Sequence, residues 1–120
     1  PLSNPVPILY YSKGTNESYW SRLVDLPITA IGIDWNHEMA SVLLKYGDRF
    51  AVQGNINPSW LLLESAELES KLRSYFQPLK KLSVHKRSGW ICGLGHGVLP
   101  QTPEANVRLL MQTQREIFQE

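Results

Sequence analysis

The chain has 120 residues, 42% of them hydrophobic, and a formal net charge of +1. That describes one soluble globular unit, with no reason to expect nucleic acid or an anionic membrane as partner. No apolar run is long enough to cross a bilayer, and the sole cysteine, Cys92, excludes an internal disulfide and a zinc site built on several thiolates.

The sequence opens Pro1-Leu2-Ser3-Asn4-Pro5 with neither initiator methionine nor signal-peptide pattern, and we read it as a segment of a longer, cytoplasmic protein. "VPILYYS" (residues 6–12) predicts a first strand, rich in β-branched and aromatic side chains and too short for a buried helix. A helical pattern follows at 17–26, with Tyr19, Trp20, Leu23 and Val24 at helical spacing and Pro27 as its stop. "ITAIGID" (28–34) is a second strand. Residues 37–46 form a second helix with Met39, Val42, Leu43 and Tyr46 on one side and Gly47 at its end. "FAVQGN" (50–55) is a third strand. Asn57-Pro58 starts a helical turn, since the Asn side chain accepts from a free backbone N–H and proline fits a first turn. A further helix covers 64–76, and "WICGLG" (90–95) is the fourth strand. The last helix, 103–118, lines one face with Val107, Leu110, Met111, Gln114 and Phe118, and Thr102-Pro103-Glu104 is its expected cap.

The order is βα four times over, which forces parallel strands joined by right-handed crossovers. A doubly wound open sheet and a segment of a TIM barrel both fit this rhythm. In either, ligands meet the carboxyl ends of the strands. Those ends are Lys13-Gly14, Asp34-Trp35-Asn36, Gln53-Gly54-Asn55 and Gly95-His96-Gly97.

His96 is the principal candidate, because it lies at a strand end between two glycines and an imidazole suits proton transfer or an anionic contact. A plain turn-stabilising role competes with that, and no neighbour in sequence supplies a nucleophile or orienting carboxylate. Asp34 reads first as an Asx-type cap. Gln53 and Asn55 read first as satisfying loop backbone, and His37 as a solvent-facing residue of a helical first turn. "KKLSVHKR" (80–87) is a solvated basic connector. "GLGHG" is no dinucleotide fingerprint, because the third glycine is missing and Pro100 follows too soon. Cys92, within a strand pattern, reads as a small buried hydrophobe.

Four stretches together, "PVPILYYSKG", "IGIDWN", "GDRFAVQGNINP" and "LGHGVLPQTPEANV", resemble the C-terminal portion of uroporphyrinogen decarboxylase in order and spacing, over essentially the whole chain (1–120). The resemblance implies four consecutive βα units, the C-terminal half of a TIM (β/α)8 barrel. It implies an enzyme that removes carbon dioxide from the four acetate side chains of uroporphyrinogen III, with no metal and no organic cofactor, as a cytoplasmic homodimer. It implies substrate binding by His96, the histidine of "LGHG". The family's arginines, central aspartate, tyrosine and hydroxyl-bearing cleft residue lie N-terminal of this segment, so no catalytic residue is expected here.

Two positions depart from the pattern. Many relatives carry Asn where this chain has Gly93, and Asp where it has Asn57. Two rival readings remain. In a zinc-dependent corrinoid methyltransferase of the same superfamily, a cysteine would stand at the position of His96 and a His-x-Cys pair would occur elsewhere; this chain has neither, and zinc content would separate the two. As a non-catalytic fragment, the chain would be inactive alone, because four strands cannot close an eight-stranded barrel.

Overall fold

The computed structural model describes residues 6–119. Pro7 has no N–H to give to a ladder, so the first strand is shorter than its apolar run: β1 is Leu9–Tyr11. It is introduced by Ile8, whose N–H bonds the Thr29 hydroxyl and whose carbonyl accepts from Thr29 and Ala30. The remaining strands are β2, Ala30–Gly32, β3, Ala51–Ile56, and β4, Trp90–Leu94. All neighbours pair parallel, in the order β1-β2-β3-β4.

That order decides between the two architectures the rhythm allowed. A doubly wound sheet reverses its strand order at a switch point and sends helices to both faces. Unbroken sequential order with right-handed crossovers puts every helix on one face. The chain is therefore an α/β half-barrel of four βα units. Ile31, Ile33, Val52 and Ile56 are buried on the helix side with Met39, Leu43, Leu68, Leu72 and Phe76. Full burial of each such side chain stabilises by about 1.5–3 kcal/mol. The opposite, concave face stays open, with Tyr11 and Ile91 exposed.

The helices depart from their sequence patterns for local reasons. The first, α1, spans Glu17–Leu23, capped by the Asn16 side chain, and is shorter than 17–26. Arg49 donates to the carbonyls of Val24, Leu26 and Ile28 beyond its end, holding them in a turn. Trp20 is buried, but Tyr19 is exposed. The second, α2, is Met39–Tyr46 with Gly47 as its C-cap, and its expected apolar face is buried as predicted. Asn57 caps a 3-10 turn at Pro58–Leu62 through Ser59 N–H.

The third, α3, runs Ser65–Lys81 straight through Pro78, past the expected stop at 76. Pro78 withholds one backbone donor, yet Phe76 and Leu79 on either side of it are fully buried, and that packing holds the last turn in place. The basic stretch is no simple connector: it ends α3 and then forms a short helix, α4, Val84–Arg87, whose Lys86 pairs with Asp48 at 3.2 Å. The last helix, α5, is Glu104–Phe118. Its buried stripe is Asn106, Leu110 and Thr113, whereas Met111 is exposed. The expected Thr102 cap does not form: Pro103 is the N-cap, and the Thr102 hydroxyl is buried with no partner among the described residues.

Candidate functional site

Parallel register places Tyr11, Gly32, Gln53 and Ile91 in one row across the sheet. Tyr11 lies over Gly32, where an added Cβ would meet the tyrosine ring at 2.6 Å. Above this row the β4 loop turns inward. Together Tyr11, Gly32, Gln53 and the Leu94–Val98 stretch line an open cleft of about 480 Å³ at the carboxyl ends of the strands.

His96 stands on the rim of that cleft. Gly97 N–H donates to its Nδ1 at 2.8 Å. A ring nitrogen that accepts carries no proton, so the neutral imidazole holds its proton on Nε2 and offers it as a donor. The loop beneath is anchored from the far side of the sheet: the Tyr11 hydroxyl donates to Gly95 carbonyl at 2.5 Å. Desolvation, then the charge of Asp34, raise the Tyr11 pKa, which keeps that donor protonated. The Tyr11 ring also meets the imidazole edge-on, with centroids 6.3 Å apart. No sequence signal points to Tyr11, because two adjacent tyrosines cannot be assigned to faces without the register.

The glycines around His96 have different reasons. At Gly95 a Cβ would stand 2.9 Å from Trp35 Cε3 and 3.1 Å from Asp34 Cα, so the loop packs on the β2 end only as glycine. At Gly97 nothing lies within 4 Å. The protein itself therefore dictates the first glycine and leaves the second open.

"QGN" divides its work. The Gln53 amide makes no hydrogen bond among the described residues and faces the cleft. Gly54 has φ of +128°, a conformation reserved for glycine, and a Cβ there would lie 2.5 Å from Ile33 carbonyl. Asn55 is a buried latch: its amide donates to the carbonyls of Asp34 (2.8 Å) and His37 (2.5 Å), and its Oδ1 accepts from Tyr75 hydroxyl at 2.8 Å. Burial raises the Tyr75 pKa, so that hydroxyl stays a donor. Asn106, from "PEAN", does the same elsewhere, donating to the Leu61 and Leu63 carbonyls.

Asp34 forms the expected Asx turn with Asn36 N–H at 3.0 Å, although the residue preceding α2 is Glu38. It also accepts from Gly14 N–H at 2.8 Å, joining the β1 and β2 loops. Burial works to raise its pKa, but the Gly14 and Asn36 donors and nearby His37 outweigh it and hold the carboxyl low. His37 is not solvent-facing. It precedes α2, bonds Thr15 carbonyl at 2.8 Å and packs edge-on against buried Trp20, because the Asn55 latch draws its backbone inward.

Cys92 is exposed, contrary to the expectation of a buried hydrophobe, because among the described residues β4 is the last strand of the sheet. Desolvation pushes its thiol up to about 11, which leaves it protonated and a poor nucleophile at neutral pH. Among the described residues, no group of three or more His, Cys, Asp or Glu side chains is placed to hold a metal ion.

Sequential parallel strands, helices on one face and a cleft at the carboxyl ends define a segment of a TIM-type βα barrel. A family model described as uroporphyrinogen decarboxylase (URO-D) matches residues 2–117, and the chain belongs to that family. Among its relatives is a uroporphyrinogen decarboxylase of Chlorobium phaeobacteroides, 32% identical over 111 residues, which cover 92% of this chain and 30% of the relative. That of Rickettsia bellii is 32% identical, covering 92% and 31%. That of Legionella pneumophila is 29% identical, covering 93% and 30%. The chain thus spans about 30% of the length of these curated relatives, matching their C-terminal part.

Proposed function

We propose that this chain is the C-terminal half-barrel of a uroporphyrinogen decarboxylase. The whole enzyme would convert uroporphyrinogen III to coproporphyrinogen III by removing its four acetate carboxyls, without metal or organic cofactor. The chemistry needs no metal in principle. Protonation at a pyrrole carbon makes the ring an electron sink, so the electron pair left by carbon dioxide is delocalised. A carboxylate near the pyrrole N–H groups, contributed by the part of the enzyme outside this chain, would stabilise the cationic ring. Arginines from that same part would bind substrate carboxylates.

This chain's own share of the work is binding. The observation that carries the reading is the Gly97 N–H donated to His96 Nδ1 at 2.8 Å on the rim of a cleft at the strand ends, which leaves Nε2 of the neutral ring to carry the proton and donate to a carboxylate. The half-barrel alone would be inactive, and the complete enzyme would be a cytoplasmic homodimer. His96→Ala in the complete enzyme tests this reading. The expected result is a raised KM or lowered kcat with the fold intact; unchanged kinetics would reduce His96 to a turn residue.

A further inference from the structure

His96 is a ridge between two hollows. On its inner side is the cleft floored by Tyr11, Gly32 and Gln53. On its outer side is a second hollow of about 300 Å³, lined by Lys13, Trp35, Asn57, Ser59, His96 and Leu99 among others. The two differ in charge. The inner floor is neutral, whereas the outer hollow carries the Lys13 ammonium, whose Nζ sits 5.3 Å from the Trp35 ring centroid.

That ammonium is available. Among the described residues no carboxylate ion-pairs with Lys13. The nearby acid, Asp34, is buried and committed to Gly14 and Asn36 N–H. The indole face holds the cation at the rim without neutralising it. The His96 side chain lines the same hollow as Lys13.

We propose that Lys13 and His96 form a carboxylate subsite in the outer hollow, separate from the inner cleft. Its ligand is a peripheral carboxylate of a polycarboxylate molecule whose flat body occupies the inner side. The identity of that body as a tetrapyrrole rests on the functional reading above; the carboxylate subsite does not.

The test is titration of the complete enzyme, isotope-labelled, followed by NMR at the Gly14 and Gly97 amides and the Trp35 indole. Two probes are used: uroporphyrin III, the stable oxidised form of the proposed substrate, and citrate, a small tricarboxylate. The expected result is that uroporphyrin shifts both the outer signals and those of the inner cleft. Lys13→Gln should weaken its binding about tenfold, the scale of one charge-assisted contact, and Lys13→Arg should restore it. Uroporphyrin that binds Lys13→Gln as tightly as the parent, shifting only Tyr11, Gly32 and Gln53, overturns the subsite and leaves the tetrapyrrole reading standing. Citrate shifting the outer signals in a Lys13-dependent way while uroporphyrin shifts none supports the subsite and removes the tetrapyrrole. Silence of the outer signals to both probes overturns the subsite.

Discussion

The Tyr11 hydroxyl donates to the Gly95 carbonyl at 2.5 Å, joining the two outermost strands of the sheet across its concave face. The bond closes the peptide next to His96 onto a residue far away in sequence. Tyr11→Phe keeps the ring and removes only the donor, at an expected stability cost of about 0.5–1.5 kcal/mol. Amide hydrogen exchange at Gly95, His96 and Gly97 should accelerate in the variant while exchange in α3 does not. Unchanged exchange at the loop would mean the bond anchors nothing.

The His96 tautomer is directly readable. Nitrogen chemical shifts of the imidazole in the neutral state should report Nε2 protonated and Nδ1 bare, because Nδ1 accepts from Gly97 N–H. A dominant Nδ1–H form would contradict the donor role assigned to Nε2.

Asp34 predicts an acid-sensitive fold. Its folded-state pKa is held below the ordinary value by the Gly14 and Asn36 donors and by His37, which together outweigh burial. A depressed carboxylate contributes stability that is present above its unfolded pKa, about 3.9, and is lost as pH falls through the folded value. Asp34→Asn should therefore cost about 1–3 kcal/mol at neutral pH, since an amide cannot accept at both oxygen positions. Urea unfolding of parent and variant should converge as the pH is lowered below the unfolded value. A difference that persists unchanged into acid would show that the carboxylate charge contributes nothing.

The two glycines beside His96 should behave differently on replacement by alanine. Gly95→Ala drives a methyl into Trp35 and the Asp34 backbone, an overpacking expected to cost about 1–3 kcal/mol. Gly97→Ala meets open space and should stay within about 0.5 kcal/mol of the parent. Thermal melts of both variants check this, and equal losses would contradict the close packing of Gly95 against Trp35.

How far the sequence could be read follows from where each signal lives. Apolar runs are local, so four strands and their helices are legible, and His96 lies just past the carboxyl end of the fourth. Strand order is not local: sequential pairing, and with it the choice of a barrel over an open sheet, needed either the coordinates or the family resemblance. Element ends were misread where a distant side chain sets them, as Arg49 does beyond α1 and the packing of Phe76 and Leu79 does around Pro78. His37 and Tyr11 are illegible for the same reason. Their surroundings come from Thr15, Trp20 and Gly95, and nothing near them in sequence announces those contacts.

The proposed half-barrel would complete a decarboxylase site whose ionising groups lie in the part of the enzyme outside this chain. The most direct measurement is product formation from uroporphyrinogen III by two samples: this chain alone, and a chimaera in which it replaces the matching C-terminal part of the Chlorobium phaeobacteroides enzyme. The expected result is coproporphyrinogen from the chimaera, impaired by His96→Ala, and none from the chain alone. Coproporphyrinogen from the chain alone, or a folded chimaera as active with His96→Ala as without it, would contradict it.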